Sequence, residues 1–218
     1  MKTLKKVIII GAGDHGQGTL EIFKASNEIR LEYDVVGFLD DDPTKSQKKI
    51  HEIPVLGPVS WLKEQHDGDL SYILAISQGG AKSRIIKDLG SLSLNFINAI
   101  HPTAIIGSDV QMGSGNIIAA GTVIAYSTVF QNHITINLNT TVGHDCLISG
   151  YVTVAPGVNI GGRVRLGKGC DIGPNCTISK GVTVGDWSCL GPSTVVLKEI
   201  PPKKNYFGNP ARPVPRLA

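Results

Sequence analysis

Residues 136–160 read INLNTTVGHDCLISGYVTVAPGVNI. Within them Ile136, Val142, Ile148, Val154 and Ile160 recur at every sixth position. The same register runs without a slip from Ile106 to Val196, so sixteen successive sixth residues are large and apolar. The residue after each anchor is nearly always small or amide-bearing, as in Gly107, Ala125, Asn137, Gly143 and Gly161, and the fourth after it is usually Val, Thr, Cys or Ser. A period of six suits neither a 3.6-residue helix nor a free-running strand of period two, but it is what a coil of short strands separated by tight corners requires. The stretch therefore predicts a parallel β-helix of hexapeptide repeats. One anchor per face and three faces per coil give 18 residues per coil and a little over five coils, stacked about 4.8 Å apart. The anchors point inward, and the small residue after each is expected to permit the corner. Cys146, Cys170 and Cys176 fall in the fourth-residue column, where a small buried group belongs, and all four cysteines are read as packing groups.

Residues 1–102 follow other periods. Lys5 to Ile10 reads as a buried parallel strand, followed by a Gly turn and a helical pattern from Gln17 to Ala25. Val35 to Leu39 and Tyr72 to Ile76 read as further strands, Ala81 to Leu89 as a helix, and Asn95 to Ile100 as a last strand that enters the repeat at His101 and Pro102. Thr44 to Glu52, polar and Lys-rich, reads as a solvated loop. Strands alternating with helical patterns imply a small Rossmann-like α/β domain. The expected organisation is this domain over 1–102 and an all-β β-helix domain with a C-terminal tail over 103–218.

Composition narrows the function. Glycine makes up 26 of 218 residues, about 12%, against a usual value of about 7%, as a turn-rich repeat demands. The 21 basic and 18 acidic residues leave a formal charge of +3, too mild for a dedicated nucleic-acid binder but compatible with small anionic ligands. The four cysteines form no C-x-x-C pair and have no histidine at zinc spacing, so no metal is expected, and a reducing cytoplasm fits. The apolar run Val7 to Ile10 behind Lys2, Lys5 and Lys6 is too short for a signal peptide. No window reaches the roughly 18 apolar residues of a membrane span.

Two constellations carry chemistry. Gly11-Ala12-Gly13-Asp14-His15-Gly16 follows a strand and opens a helix, with Asp40 and Asp41 at the end of the next strand. Taken alone this G-x-G-x-x-G spacing suggests NAD. The α/β domain has room for only about half a dinucleotide fold, however, and a mononucleotide or nucleotide sugar is the preferred ligand. Backbone N–H groups at a helix N-terminus favour its phosphates. The second constellation is the segment Asn137 to Asp145, where His144 occupies an outward corner. Stepping by 18 from it gives Gly162, Lys180 and Lys198. A candidate base, a bare backbone N–H one coil up and two cations form a line able to hold a reacting carbonyl and a phosphorylated tail. Pro156, Pro174 and Pro192 form a flat wall beside it, and His51, His66 and His133 read as solvated surface groups.

A Gly-rich α/β domain with His in its turn, joined to an uninterrupted hexapeptide repeat containing V-x-H-D, resembles the sugar acyltransferases of the sialic-acid O-acetyltransferase and bacillosamine-pathway N-acetyltransferase family, over essentially the whole chain. The resemblance implies a left-handed β-helix, a homotrimer and direct transfer of acetyl from acetyl-CoA to the 4-amino group of a nucleotide-linked 4-amino-4,6-dideoxy sugar. It makes His144 the general base and Asp145 its orienting acid. It gives the nucleotide to Gly13, Asp14, His15, Asp40 and Asp41, and the sugar to Asn137. It assigns the Gly162 amide to the thioester oxygen, with further acetyl-CoA contacts at Thr153, Pro174 and Pro192, to which the column through His144 adds Lys180. Thr153 stands where family members carry a second His, and it can still donate a hydrogen bond. Gly208-Asn209-Pro210-Ala211-Arg212 matches the family's closing segment beside the cofactor. The alternatives are a sialic-acid hydroxyl as acceptor, or a nucleotide-binding β-solenoid without catalysis.

Overall fold

The computed structural model of the chain describes residues 3–65, 68–90 and 92–215. Its N-terminal part runs β1 (Lys5–Ile10), α1 (Asp14–Ile29), β2 (Tyr33–Leu39), β3 (Lys49–Ile50), β4 (Ile53–Gly57), β5 (Leu70–Leu74), α2 (Gly79–Leu89) and β6 (Asn95–Phe96). The sheet order is β3-β4-β2-β1-β5-β6, parallel throughout except for the β3–β4 pair. Central β1 is covered on both faces, which is why Val7 to Ile10 is a continuous apolar run. Leu20, Ile22 and Phe23 of α1 pack with Val7, Ile9 and Phe38 on one side. Leu62 and Leu89 pack with Ile8, Ile10 and Leu39 on the other.

Three elements differ from expectation. Helix α1 begins at Asp14, directly after Gly13, so His15 lies in its first turn rather than before it. The stretch read as a loop holds a 3-10 turn, Pro43–Lys45, and β3. Strands β3 and β4 escaped notice because β3 is only two residues long and β4 carries Pro54, with Val55 and Gly57 alone buried. Asn95 to Ile100 is two strands: β6 pairs with β5, and Ala99–Ile100 pairs with Ile117–Ile118 of the repeat.

The repeat forms a left-handed parallel β-helix. Its first face stacks Ala99–Ile100, Ile117–Ile118, Thr135–Ile136, Thr153–Val154, Asp171–Ile172 and Cys189–Leu190, each pair 18 residues from the next. Ile105–Ile106 to Val195–Val196 stack as the second face and Gln111–Met112 to Thr183–Val184 as the third. Anchors from Ile118 to Val196 are no more than 3% exposed. Ile106 is 38% exposed, because it stands on the lowest rung of its face. The fourth-residue column is a second buried ladder. Thr122, Thr128, Thr140, Cys146, Cys170 and Cys176 each donate to the carbonyl 15 residues on, which satisfies their polar hydrogens without water.

The corner lies elsewhere than expected. Left-handed backbone falls on the third residue after every anchor but the last, as at Asn139 (φ 54°), Asp145 (φ 56°) and Arg163 (φ 60°). The small residue directly after the anchor serves close stacking instead: a Cβ on Gly143 would lie 2.5 Å from the amide nitrogen of Gly162. His133, expected at the surface, is 6% exposed, stacked on Tyr151 and edge-on to Phe96. His51 is exposed, and His66 lies outside the described residues.

The two parts meet where α2 presses on the first face. A Cβ on Gly79 would strike the carbonyl oxygens of Tyr151 and Gly169 at 2.7 and 2.8 Å. One turn on, Lys82 is fully buried and donates to the Val152 carbonyl at 3.1 Å. Burial pushes its amine down to about 7 against the opposing charge of Asp171. Between this value and the ordinary 10.5 the unfolded chain holds a proton that the folded protein has released, so folding stability rises with pH across that window. Lys82→Met removes the proton from both states. The variant should melt higher than wild type at pH 6.5, with the gap narrowing at pH 8 and again at 9.5; a gap independent of pH would show that the amine ionises alike in both states.

Candidate active site

His144 stands on the corner between the second and third faces. The left-handed backbone at Asp145 lets its carboxylate reach back, and Oδ2 accepts from His144 Nδ1 at 2.7 Å. With Nδ1–H held there, Nε2 carries the free lone pair and is the basic atom. The imidazole is about one-third exposed (32%), so substrate can reach it. Gly162, one coil above, faces the ring: a Cβ there would lie 2.7 Å from Nε2. The Gly162 N–H meets no acceptor among the described residues, which leaves it free for an oxygen of a ligand. His144, Asp145 and Gly162 thus form one cluster, with base and amide on adjacent rungs.

A second group gathers between α1 and the first face. His15, Thr135, Asn137, Ile117 and Leu138 line a cavity of about 310 Å³. His15 Nε2 lies 3.3 Å from Thr135 Oγ1, and burial, aided by the charge of Lys82, pushes the imidazole down to about 4. It is a neutral hydrogen-bonding group at physiological pH. Asn137 accepts the Leu138 amide on Oδ1, leaving Nδ2 without a protein acceptor among the described residues.

The other residues of the nucleotide set lie apart from that cavity. Gly13 caps α1, and beyond its Cα position the nearest group is Lys45 Nζ, 4.0 Å from where a Cβ would be. An open helix N-terminus beside a cation suits a phosphate. Asp14 is exposed at the start of α1. Asp40 accepts from Ala12 N, Asp42 N and Lys45 Nζ. Burial pushes its carboxyl up, but these donors outweigh that and hold it below the usual range. Asp40 thereby shapes the turn that presents Gly13. Asp41 accepts the Val59 amide and lines a separate cleft with Ser60, Lys63 and Asp88.

Thr153 and Pro192 share a third cleft, of about 480 Å³, with Ser77, Gln78, Asp171 and Cys189. Thr153 Oγ1 donates to the Ser77 carbonyl at 2.5 Å, so α2's leading loop holds the hydroxyl. Pro174, Lys180 and Pro192 are exposed at corners, and the Pro174 carbonyl accepts the Ser193 amide, leaving one lone pair. Sequence reasoning missed Thr135, Asp171 and Cys189. The signal was present, since they stand one rung below and one and two rungs above Thr153 in its own outward column. Among the described residues, no group of three or more His, Cys, Asp or Glu is placed to hold a metal, and no helix is long and apolar enough to cross a membrane.

Residues 6–89 match the PglD N-terminal domain. The chain is 29% identical over 151 residues to the GDP-perosamine N-acetyltransferase of Escherichia coli O157:H7, covering 68% of this chain and 66% of that one. It is 28% identical over 127 residues to the UDP-N-acetylbacillosamine N-acetyltransferase of Bacillus subtilis (strain 168), covering 54% and 52%. The chain therefore spans about two thirds and about half of the lengths of these curated relatives. Among solved structures, the acetyltransferase domain of PglB from Neisseria gonorrhoeae FA1090 in complex with acetyl coenzyme A superposes with a TM-score of 0.88 at 27% identity, covering 97% and 100% of the two chains. PerB from Caulobacter crescentus in complex with CoA and GDP-perosamine gives 0.86 at 26%, covering 98% and 99%. A Rossmann-like domain on a left-handed hexapeptide β-helix is thus the architecture that the chain shares with these two structures. Across both parts the chain is similar to nucleotide-amino-sugar N-acetyltransferases of the bacillosamine-pathway type, in sequence to the two curated relatives and in fold to the two solved structures.

Proposed function

We propose that the protein transfers acetyl from acetyl-CoA to the 4-amino group of a nucleotide-linked 4-amino-4,6-dideoxy sugar. The observation that carries this reading is the pairing of His144 Nε2, left free because Asp145 holds Nδ1 at 2.7 Å, with the Gly162 amide one rung above, which meets no acceptor among the described residues. Two relatives are N-acetyltransferases named for GDP-perosamine and UDP-N-acetylbacillosamine, nucleotide-linked amino sugars of the same class. In the proposed reaction the neutral amine attacks the thioester carbonyl, His144 takes the amine proton, the Gly162 N–H stabilises the developing oxyanion, and the C–S bond breaks as the new C–N bond is completed. The proton then passes to the departing thiolate. No acyl-enzyme is required: Cys146, the nearest thiol in sequence, is buried, donates to Gly161 O, and is pushed up by burial.

In this reading the helix N-terminus at Gly13 and Asp14 holds a phosphate of the nucleotide. Asp40 and Asp41 hold the turn and base region, and His15 and Asn137 bind the sugar in the 310 Å³ cavity on the first face, so that its amine meets a His144 at the seam between two subunits. Thr153, Pro174, Lys180 and Pro192 flank acetyl-CoA. The reading includes a homotrimer, supported by Ile105 and Val123, 63% and 39% exposed on the second face beside the His144 corner. It also includes a cytoplasmic setting, which suits four free cysteines. The test is thiol release from acetyl-CoA against GDP-, UDP- and dTDP-linked 4-amino-4,6-dideoxy sugars and free sialic acid. Turnover with one amino sugar is expected. Turnover with sialic acid alone would overturn the acceptor, and silence across the panel would point to a solenoid without catalysis.

A further inference from the structure

Corner residues stack every 18 positions, and the column through the base reads Tyr126, His144, Gly162, Lys180 and Lys198. Sixteen residues occupy this place of the repeat, two after each anchor, and Tyr126 is the one Phe, Tyr or Trp among them. It stands directly below His144. The two rings are stacked, with centroids 5.2 Å apart and planes within 12°. Tyr126 is nevertheless 52% exposed, so its ring is not there to fill a core, whose ladders are complete without it. The Tyr126 carbonyl also accepts the amide of Asp145 at 3.2 Å. Both members of the His–Asp pair therefore rest on this residue.

We propose that Tyr126 is a positioning residue for the base, the lower jaw of a clamp that holds the imidazole plane between the phenol ring and the Gly162 backbone. The inference rests on His144 being the base. Asp145 fixes the Nδ1 edge, but one hydrogen bond leaves the ring free to tilt about that edge. The phenol face below and the glycine backbone above remove the tilt and aim Nε2 along the outer corner. The same face favours the imidazolium that forms when Nε2 takes a proton, since a π face attracts a cation. The charged groups around the ring are few. Asp145 bonds it, while Arg163 and Lys180, one and two rungs up the same corner, make no hydrogen bond or ion pair with it among the described residues.

The experiment compares Tyr126→Leu, Tyr126→Phe and His144→Ala with wild type in steady-state thiol release. In parallel, the ring nitrogens of His144 are titrated by NMR in ¹⁵N-histidine-labelled protein, with the signal assigned by its loss in His144→Ala. Tyr126→Leu is expected to lower kcat about tenfold, with KM for both substrates within about twofold, and to move the His144 titration to lower pH. Tyr126→Phe, which keeps the stack and drops the hydroxyl, is expected to restore both. Wild-type kcat and an unmoved titration in Tyr126→Leu would overturn the proposal. So would failure of Tyr126→Phe to rescue, or a raised KM at constant kcat, which would make the ring a ligand contact. If His144→Ala itself keeps full turnover, the reading of the base fails, and the NMR titration still reports whether the stack acts on the imidazole.

Discussion

Replacing His144 by alanine should lower kcat by about 10²- to 10⁴-fold while leaving the KM for acetyl-CoA within a few-fold of wild type. The size follows from what the ring does and what can stand in for it. Nε2 is the one atom of the corner with a lone pair prepared to take the amine proton, because Asp145 holds Nδ1 at 2.7 Å. Asp145 itself is exposed and, with the ring gone, hydrated rather than aimed at substrate. Stability should change little. The side chain is one-third exposed, and its loss opens no cavity in a core whose inward ladders run through Val142 and Cys146 instead. Proximity of the two substrates and the Gly162 amide remain, which is why the loss stops short of abolition. Thiol release with the accepted sugar measures it, and turnover near wild type would remove the base assignment.

The repeat was legible because its period is strict. A six-residue step over sixteen anchors leaves one architecture, and the fourteen anchors above the lowest coil are buried as that architecture demands. The corner chemistry was read less well. The small residue after each anchor looks like a turn residue, yet the left-handed conformation falls two places later, on residues as unlike as Asp145, Tyr151 and Arg163. Stacking of successive coils over-determines the backbone there, so residue type ceases to mark it. The proposed base and the amide above it come together on stepping upward through the column. Stepping downward would have shown Tyr126, and stepping along Thr153's column would have shown Thr135 and Asp171. The α/β part was legible in its central strands and in both helices, but not in the short edge strands β3 and β4. Whether His133 is surface or core depends on Phe96 and Tyr151 reaching it from different elements, and no local pattern encodes that. The burial of Lys82 is of the same kind, created when α2 docks on Val152.

Gly162→Ala should cost activity on a scale close to loss of the base itself, about 10²-fold or more in kcat, with the fold intact. An added Cβ would lie 2.7 Å from His144 Nε2 and 3.0 Å from both Cδ2 and Cε1, so the methyl group and the imidazole cannot both keep their places. Gly162 is not among the positive-φ residues, and alanine therefore meets no backbone strain there. The conflict is resolved by moving the ring off the amide, and a shift of about 1 Å in a catalytic group is worth about 10²-fold. The neighbouring glycine supplies the contrast. A Cβ on Gly161 would meet backbone, Lys180 N at 2.6 Å and Lys180 Cα at 2.9 Å. Gly161→Ala must therefore push coils apart and lower the melting temperature, at a cost of about 1–3 kcal/mol. Gly162→Ala should leave melting near wild type. Because the Gly162 effect is transmitted through the ring, it should vanish where there is no ring: in a His144→Ala background, adding Gly162→Ala should cost little more than a few-fold. Full activity in Gly162→Ala would mean that the imidazole works from another position, and a multiplicative loss in the double variant would mean that the amide acts on the oxyanion independently of how the base is placed.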